Sequence, residues 1–100
     1  MDKYHVLISP QAYRDLDELY DYIKNTLFAE KAAENLVDRI EKAIISLETM
    51  PYRGAERMVG RFAYQGYRQL FVNNFTIIYR IEESASAVII ITIRYSRRNI

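Results

Sequence analysis

Cysteine is absent from this chain of 100 residues, and with it go disulfide frameworks, thiolate metal sites, iron–sulfur clusters and cysteine nucleophiles. Such a chain suits a reducing compartment. One histidine, His5, is too few for a metal site or a catalytic triad, and its place on a short strand marks it as an ordinary strand residue. Three glycines, Gly54, Gly60 and Gly66, leave no phosphate-cradling loop and no dinucleotide fingerprint. Apolar runs are short. The longest, Ala87 to Ile91, falls far below the ~20 residues of a membrane span. The opening Met1-Asp2-Lys3-Tyr4-His5 has neither the basic start nor the apolar stretch of a signal peptide. These absences lead us to expect a cytoplasmic protein without a membrane partner.

What is present is the balance of a folded domain. Half the residues are apolar and 27% are charged, at a length that fits one domain over residues 1–100 and not two. The net charge of +1 conceals an asymmetry. Residues 1–50 carry six basic against ten acidic side chains, a balance of −4, and residues 51–100 carry eight against three, a balance of +5. All eight of the latter are arginines: Arg53, Arg57, Arg61, Arg68, Arg80, Arg94, Arg97 and Arg98. The planar guanidinium fork suits phosphates and carboxylates, so the bias points to a nucleic acid or an acidic protein. Solvated charges that guard strand edges are the plainer alternative.

The periodicity gives one organisation. Tyr4 to Ile8 reads as a short strand, and Ser9-Pro10 as an N-cap followed by proline at the first helical position. Ala12, Leu16, Leu19, Ile23 and Leu27 mark one helical face, with Asp15, Asp17, Glu18 and Asp21 expected on the solvated side. A second helix from about Glu30 buries Ala33, Leu36, Val37, Ile40, Ile44 and Leu47 and ends near Met50, before Pro51. The link between the helices is short, so they pair antiparallel. Tyr67–Val72, Phe75–Ile81 and Ala87–Tyr95 then read as strands, joined at Asn73-Asn74 and at Glu83-Ser84-Ala85-Ser86. An extra short strand is expected between Arg57 and Gly66. On the last strand, simple alternation puts Ile89, Ile91, Ile93 and Tyr95 on one face and Val88, Ile90, Thr92 and Arg94 on the other. The fold class is α+β, in the order β-α-α-β-β-β. A helical hairpin packs on one face of an antiparallel sheet.

Several pieces taken in order carry a resemblance. They are Ile8-Ser9-Pro10, Ala12, Asp15-Leu16, Leu19 to Ile23, Ala32-Ala33-Glu34, Leu47 with Pro51 and Gly54, Tyr67-Arg68, Ile78-Tyr79-Arg80, and Tyr95-Ser96-Arg97-Arg98. Over nearly its whole length the chain resembles the RelE/ParE superfamily of bacterial type II toxin–antitoxin toxins, proteins of growth inhibition and plasmid stabilisation. The resemblance implies a cognate antitoxin as partner and no cofactor or metal. It implies one of two targets: DNA gyrase in the ParE-like branch, or mRNA in the ribosome in the RelE-like branch. For the RNase branch it points to Arg68, Arg97 and Tyr95 as catalytic residues, with Tyr79 a further candidate proton carrier. Thr76 falls where that branch uses an arginine. The Arg97-Arg98 ending is similar to the ParE branch, where Arg94, Arg97 and Arg98 would bind the target. The expected patch joins these three with Arg68. A binding module that kept the fold without toxicity is the alternative from another class.

Overall fold

A computed structural model describes residues 3–95; the expected roles of Arg97 and Arg98 fall outside the described residues. Strand β1 (His5–Ile8) leads into helix α1 (Pro10–Asp21), a π-helical turn (Tyr22–Thr26) and helix α2 (Glu30–Ser46). Strands β2 (Ala55–Glu56), β3 (Arg68–Val72), β4 (Phe75–Glu82) and β5 (Ala87–Tyr95) follow. The sheet order is β1-β5-β4-β3-β2, antiparallel throughout except for the parallel pair β1–β5. That parallel pair follows from the chain's path: two helices intervene between β1 and the meander, and together they form the crossover.

Local chemistry explains the boundaries. The Ser9 hydroxyl accepts the Ala12 N–H at 3.1 Å and so caps α1, with Pro10 where its missing N–H costs nothing. The helical periodicity expected as far as Leu27 continues past Asp21 as the π-turn, whose wider ring shifts the phase before α2. Asn73 takes a positive φ of 54° in the two-residue turn between β3 and β4, as asparagine tolerates. No strand forms between Arg57 and Gly66; the extra strand is β2, immediately before that stretch.

One face of the sheet meets the helices. Ala12 and Leu19 of α1, Ile40 and Ile44 of α2, and Leu47 pack with Ile77, Tyr79, Val88, Ile90 and Ile93 in a single core. Ile93 belongs to the same face as Val88 and Ile90, contrary to simple alternation. The cause is a bulge on β5: Ile78 pairs with Thr92 but the next residue, Tyr79, pairs with Ile90, leaving Ile91 unmatched. The extra residue reverses the side-chain phase for the rest of β5. Tyr95 therefore follows Ile93 to the helix side, and Arg94 goes to the opposite face beside Thr76.

That opposite face is also covered. Ile78, Thr76 and Thr92 lie on it, yet they are only 0%, 3% and 6% exposed. On this face Arg61 and Phe62 of the 57–66 loop border a cleft with Ile91, Thr92 and Arg94.

Candidate functional site

The two ends of β5 are built from opposite kinds of contact. At its far end Asp15, expected to be solvated, turns inward. Its Oδ2 accepts the Thr92 hydroxyl at 2.5 Å and the Ile93 N–H at 2.9 Å, and its Oδ1 accepts from Gln11 at 2.8 Å. Ser9 adds a hydroxyl donated to the Ile91 carbonyl at 2.8 Å, and its N–H bonds the Ile90 carbonyl at 3.0 Å. β1 ends in register with Ile90, so the bulged edge beyond it lacks a strand partner. Ser9 and Asp15 supply the missing bonds from the helix side.

Two concavities flank this clip. On the helix side a groove of about 650 Å³ runs between α1, the π-turn and the end of β5. Leu19, Ile23, Leu27, Phe75, Ile93 and Tyr95 make it largely apolar, with Asp15 and Glu18 on its rim. Tyr95 is 64% exposed, and its ring meets Phe75 edge-on with centroids 5.5 Å apart. On the other side lies the cleft of about 350 Å³ that holds Arg61 and Arg94. Among the described residues the guanidinium groups of Arg94 and Arg61 have no hydrogen-bond or ion-pair partner, whereas each of the other described arginines donates at least one side-chain hydrogen bond.

The opposite end of the sheet is closed. Tyr79 is 0% exposed; its hydroxyl donates to the Pro51 carbonyl at 2.8 Å and accepts the Gly54 N–H at 3.0 Å. This excludes it as a proton carrier for an external substrate. Gly54 is there because nothing larger fits: a Cβ would stand 2.5 Å from both the Gln69 carbonyl oxygen and the Tyr79 hydroxyl. Arg68 donates from Nε to the Gly54 carbonyl at 2.9 Å and from a terminal nitrogen to that of Tyr52 at 3.2 Å, and its guanidinium lies 5.2 Å from the Tyr52 ring centre. Tyr52 and Tyr4 both donate to Glu83, Tyr4 at 2.5 Å. These bonds favour the ionised carboxylate and the protonated phenols. The Glu83 carboxyl is held below its usual range, the Tyr52 hydroxyl is raised, and the Tyr4 hydroxyl is pushed up to about 12, each chiefly through the shared hydrogen bond.

The expected patch is therefore split. Arg68 stands in register with Tyr79 on the helix-facing side, and Arg94 with Thr76 on the other. Three residues of β4 separate those levels, about 10 Å at ~3.3 Å per residue. Tyr95 shares a face with Arg68 but sits opposite Phe75, four residues from Tyr79. The structure thus brings Arg94 and Tyr95 to one end of the sheet, on its two faces, and holds Arg68 at the other. Reading the sequence missed Asp15 and Arg61. Asp15 was detectable, because it falls three residues after Ala12 and four before Leu19, on the apolar stripe itself. Among the described residues no group of three potential ligands is placed to hold a metal, and no helix is long and apolar enough to cross a membrane.

The model of the ParE toxin of type II toxin–antitoxin systems (parDE) matches residues 6–100, and the chain belongs to that family. It is a toxin of the ParE/RelE superfamily. No curated protein matches its sequence. Among solved structures it is similar to the chromosomal ParDE system of P. aeruginosa, with 22% identity over 95% of this chain and 98% of that one and a TM-score of 0.77. The RelBE2 toxin–antitoxin complex of Mycobacterium tuberculosis is similar at 22% identity, over 95% and 93% of the two chains, with a TM-score of 0.63. The isolated E. coli RelE toxin is similar at 12% identity, over 96% and 87%, with a TM-score of 0.64.

Proposed function

We propose that this chain is a ParE-like toxin that arrests bacterial growth by poisoning DNA gyrase and is held silent by a cognate antitoxin. The observation that carries this reading over a ribosome-dependent RNase is the separation of Arg68 from Tyr95. Metal-free RNA cleavage needs cations and a proton carrier gathered around one scissile phosphate. Here Arg68 is committed to the carbonyls of Gly54 and Tyr52, and Tyr95 lies four strand positions away across the sheet. Arg94 is left free to meet a target, and Arg97 and Arg98 continue the same basic segment. The apolar groove beside Tyr95 supports a protein partner of the antitoxin's kind, one that orders an amphipathic segment on binding. The reading calls for no cofactor, metal or membrane.

Expression of the chain alone is the test. Growth arrest with induction of the DNA-damage response and trapped, cleaved DNA is the expected result. Truncated messages with cuts at codon boundaries and unchanged supercoiling would establish the RNase instead. Normal growth would leave a binding module that kept the fold.

A further inference from the structure

We infer that the cleft between Arg61 and Arg94 is a carboxylate-binding site, which receives an acidic side chain of a protein partner. The site is built rather than incidental. The 57–66 loop is braced by Arg57. Its Nε donates to the Arg61 carbonyl at 3.0 Å, and a terminal nitrogen donates to Gln69 at 2.7 Å. Its backbone closes the loop from both sides, with N–H to the Tyr67 carbonyl at 2.8 Å and carbonyl to the Tyr64 N–H at 3.0 Å. Four residues within seven take positive φ: Gly60 at 70°, Phe62 at 72°, Tyr64 at 56° and Gly66 at 82°. For bulky Phe62 and Tyr64 that conformation is strained, and such strain persists where the surroundings enforce it, often at binding sites. The result of this strained path is that Arg61 and Phe62 border the same cleft as Arg94.

The electrostatics select an anion. Arg61 and Arg94 are both exposed. The Arg61 guanidinium has only the Phe62 ring, 5.5 Å from its centroid, and Arg94 has no partner among the described residues. The one acid in the cleft, Asp15, already accepts from Thr92, Ile93 and Gln11 and makes no ion pair with either arginine. Two unneutralised forks beside a satisfied carboxylate suit a second, incoming carboxylate.

The aromatic geometry chooses between anions. A single-stranded nucleic acid would be held by stacking a base on an open ring as well as by its phosphates. Phe62 has no open ring to offer: Arg61 lies over it, and Tyr67 packs against it at 4.9 Å and 59°.

The test uses the full chain labelled with nitrogen-15, following the arginine Nε–Hε signals during titration. The probes are capped tetraglutamate, capped tetraglutamine, inorganic phosphate and a uridine hexanucleotide. The expected result is a saturable shift of the Arg61 and Arg94 signals together with tetraglutamate only. Arg61→Gln or Arg94→Gln should weaken it at least tenfold, with the rest of the spectrum unchanged. An equal response to tetraglutamine, tighter binding of phosphate or of the hexanucleotide through the same two signals, or no saturable response would each overturn the assignment. Growth is not a readout here, so an inert cleft would leave the gyrase reading standing, and a chain without toxicity would leave the cleft standing.

Discussion

The two ends of the sheet differ less in composition than in what their polar groups already hold. At the Arg68 end every group named above is engaged: Tyr79 with Pro51 and Gly54, Arg68 with Gly54 and Tyr52, Glu83 with Tyr4 and Tyr52. At the Arg94 end the backbone is secured by Ser9 and Asp15, but the guanidinium of Arg94 and the hydroxyl of Tyr95 are left to the solvent side. An arginine on a strand can thus be a clamp or a contact. The sequence shows both as the same letter. Only the partners separate them: the closed end is committed to the fold, and the open end is the one the proposed function assigns to a target.

Substitutions at the closed end should break the fold first. Gly54→Ala forces a Cβ against the Gln69 carbonyl and the Tyr79 hydroxyl, so β2 and β3 must part. The expected loss is about 3 kcal/mol, the upper part of the overpacking range, measured by urea unfolding. Tyr79→Phe leaves the Pro51 carbonyl and the Gly54 N–H without their buried partner. About 2 kcal/mol should be lost in the same measurement, the cost of stranding buried polar groups. Asp15→Ala removes the clip on Thr92 and Ile93 but leaves those groups beside an open cleft that water reaches. A loss of about 1.5 kcal/mol is expected, smaller than at Tyr79 for that reason. An unchanged Asp15→Ala midpoint would show that the bulged edge needs no clip.

The closed end should also answer to pH. The Glu83 carboxyl is lowered in the folded state, so its contribution is complete above the ordinary carboxylate range and drains away as pH falls through the depressed value. The Tyr4 hydroxyl is raised from 10.0 to about 12, so its contribution is complete below pH 10 and is lost between there and about 12. Glu83→Gln should flatten the unfolding midpoint at both extremes relative to the parent chain. Equal pH profiles for the two proteins would remove the tyrosine–glutamate cluster from the account.

Much of this architecture is legible in the letters. Ser9-Pro10 announces the start of α1, Asn73-Asn74 the hairpin, and the isoleucine-rich run 87–95 the central strand. The bulge is not legible, because Ile89, Ile90 and Ile91 present identical side chains whichever of them is left unmatched. Missing it reverses the faces of Ile93 and Tyr95 and puts Arg94 in the wrong company. The Arg61 cleft was hidden for a different reason. Gly60 and Gly66 mark turns, but nothing in the sequence tells that Phe62 and Tyr64 adopt the same left-handed backbone. Splitting Arg68 from Arg94 required register, which comes from pairing and not from local pattern.

The smallest change in stability should carry the largest change in function. Arg94→Ala should shift stability by no more than about 0.5 kcal/mol, as at other exposed positions without partners. The most direct measurement is therefore the amount of cleaved DNA trapped by purified gyrase in the presence of the parent chain, Arg94→Ala and Arg68→Ala, each with its folded fraction fixed by circular dichroism. If the open end is the functional one, Arg94→Ala traps at least tenfold less DNA while fully folded, and Arg68→Ala traps DNA in proportion to its folded fraction. Full trapping by Arg94→Ala, or loss of trapping by a fully folded Arg68→Ala, would contradict it.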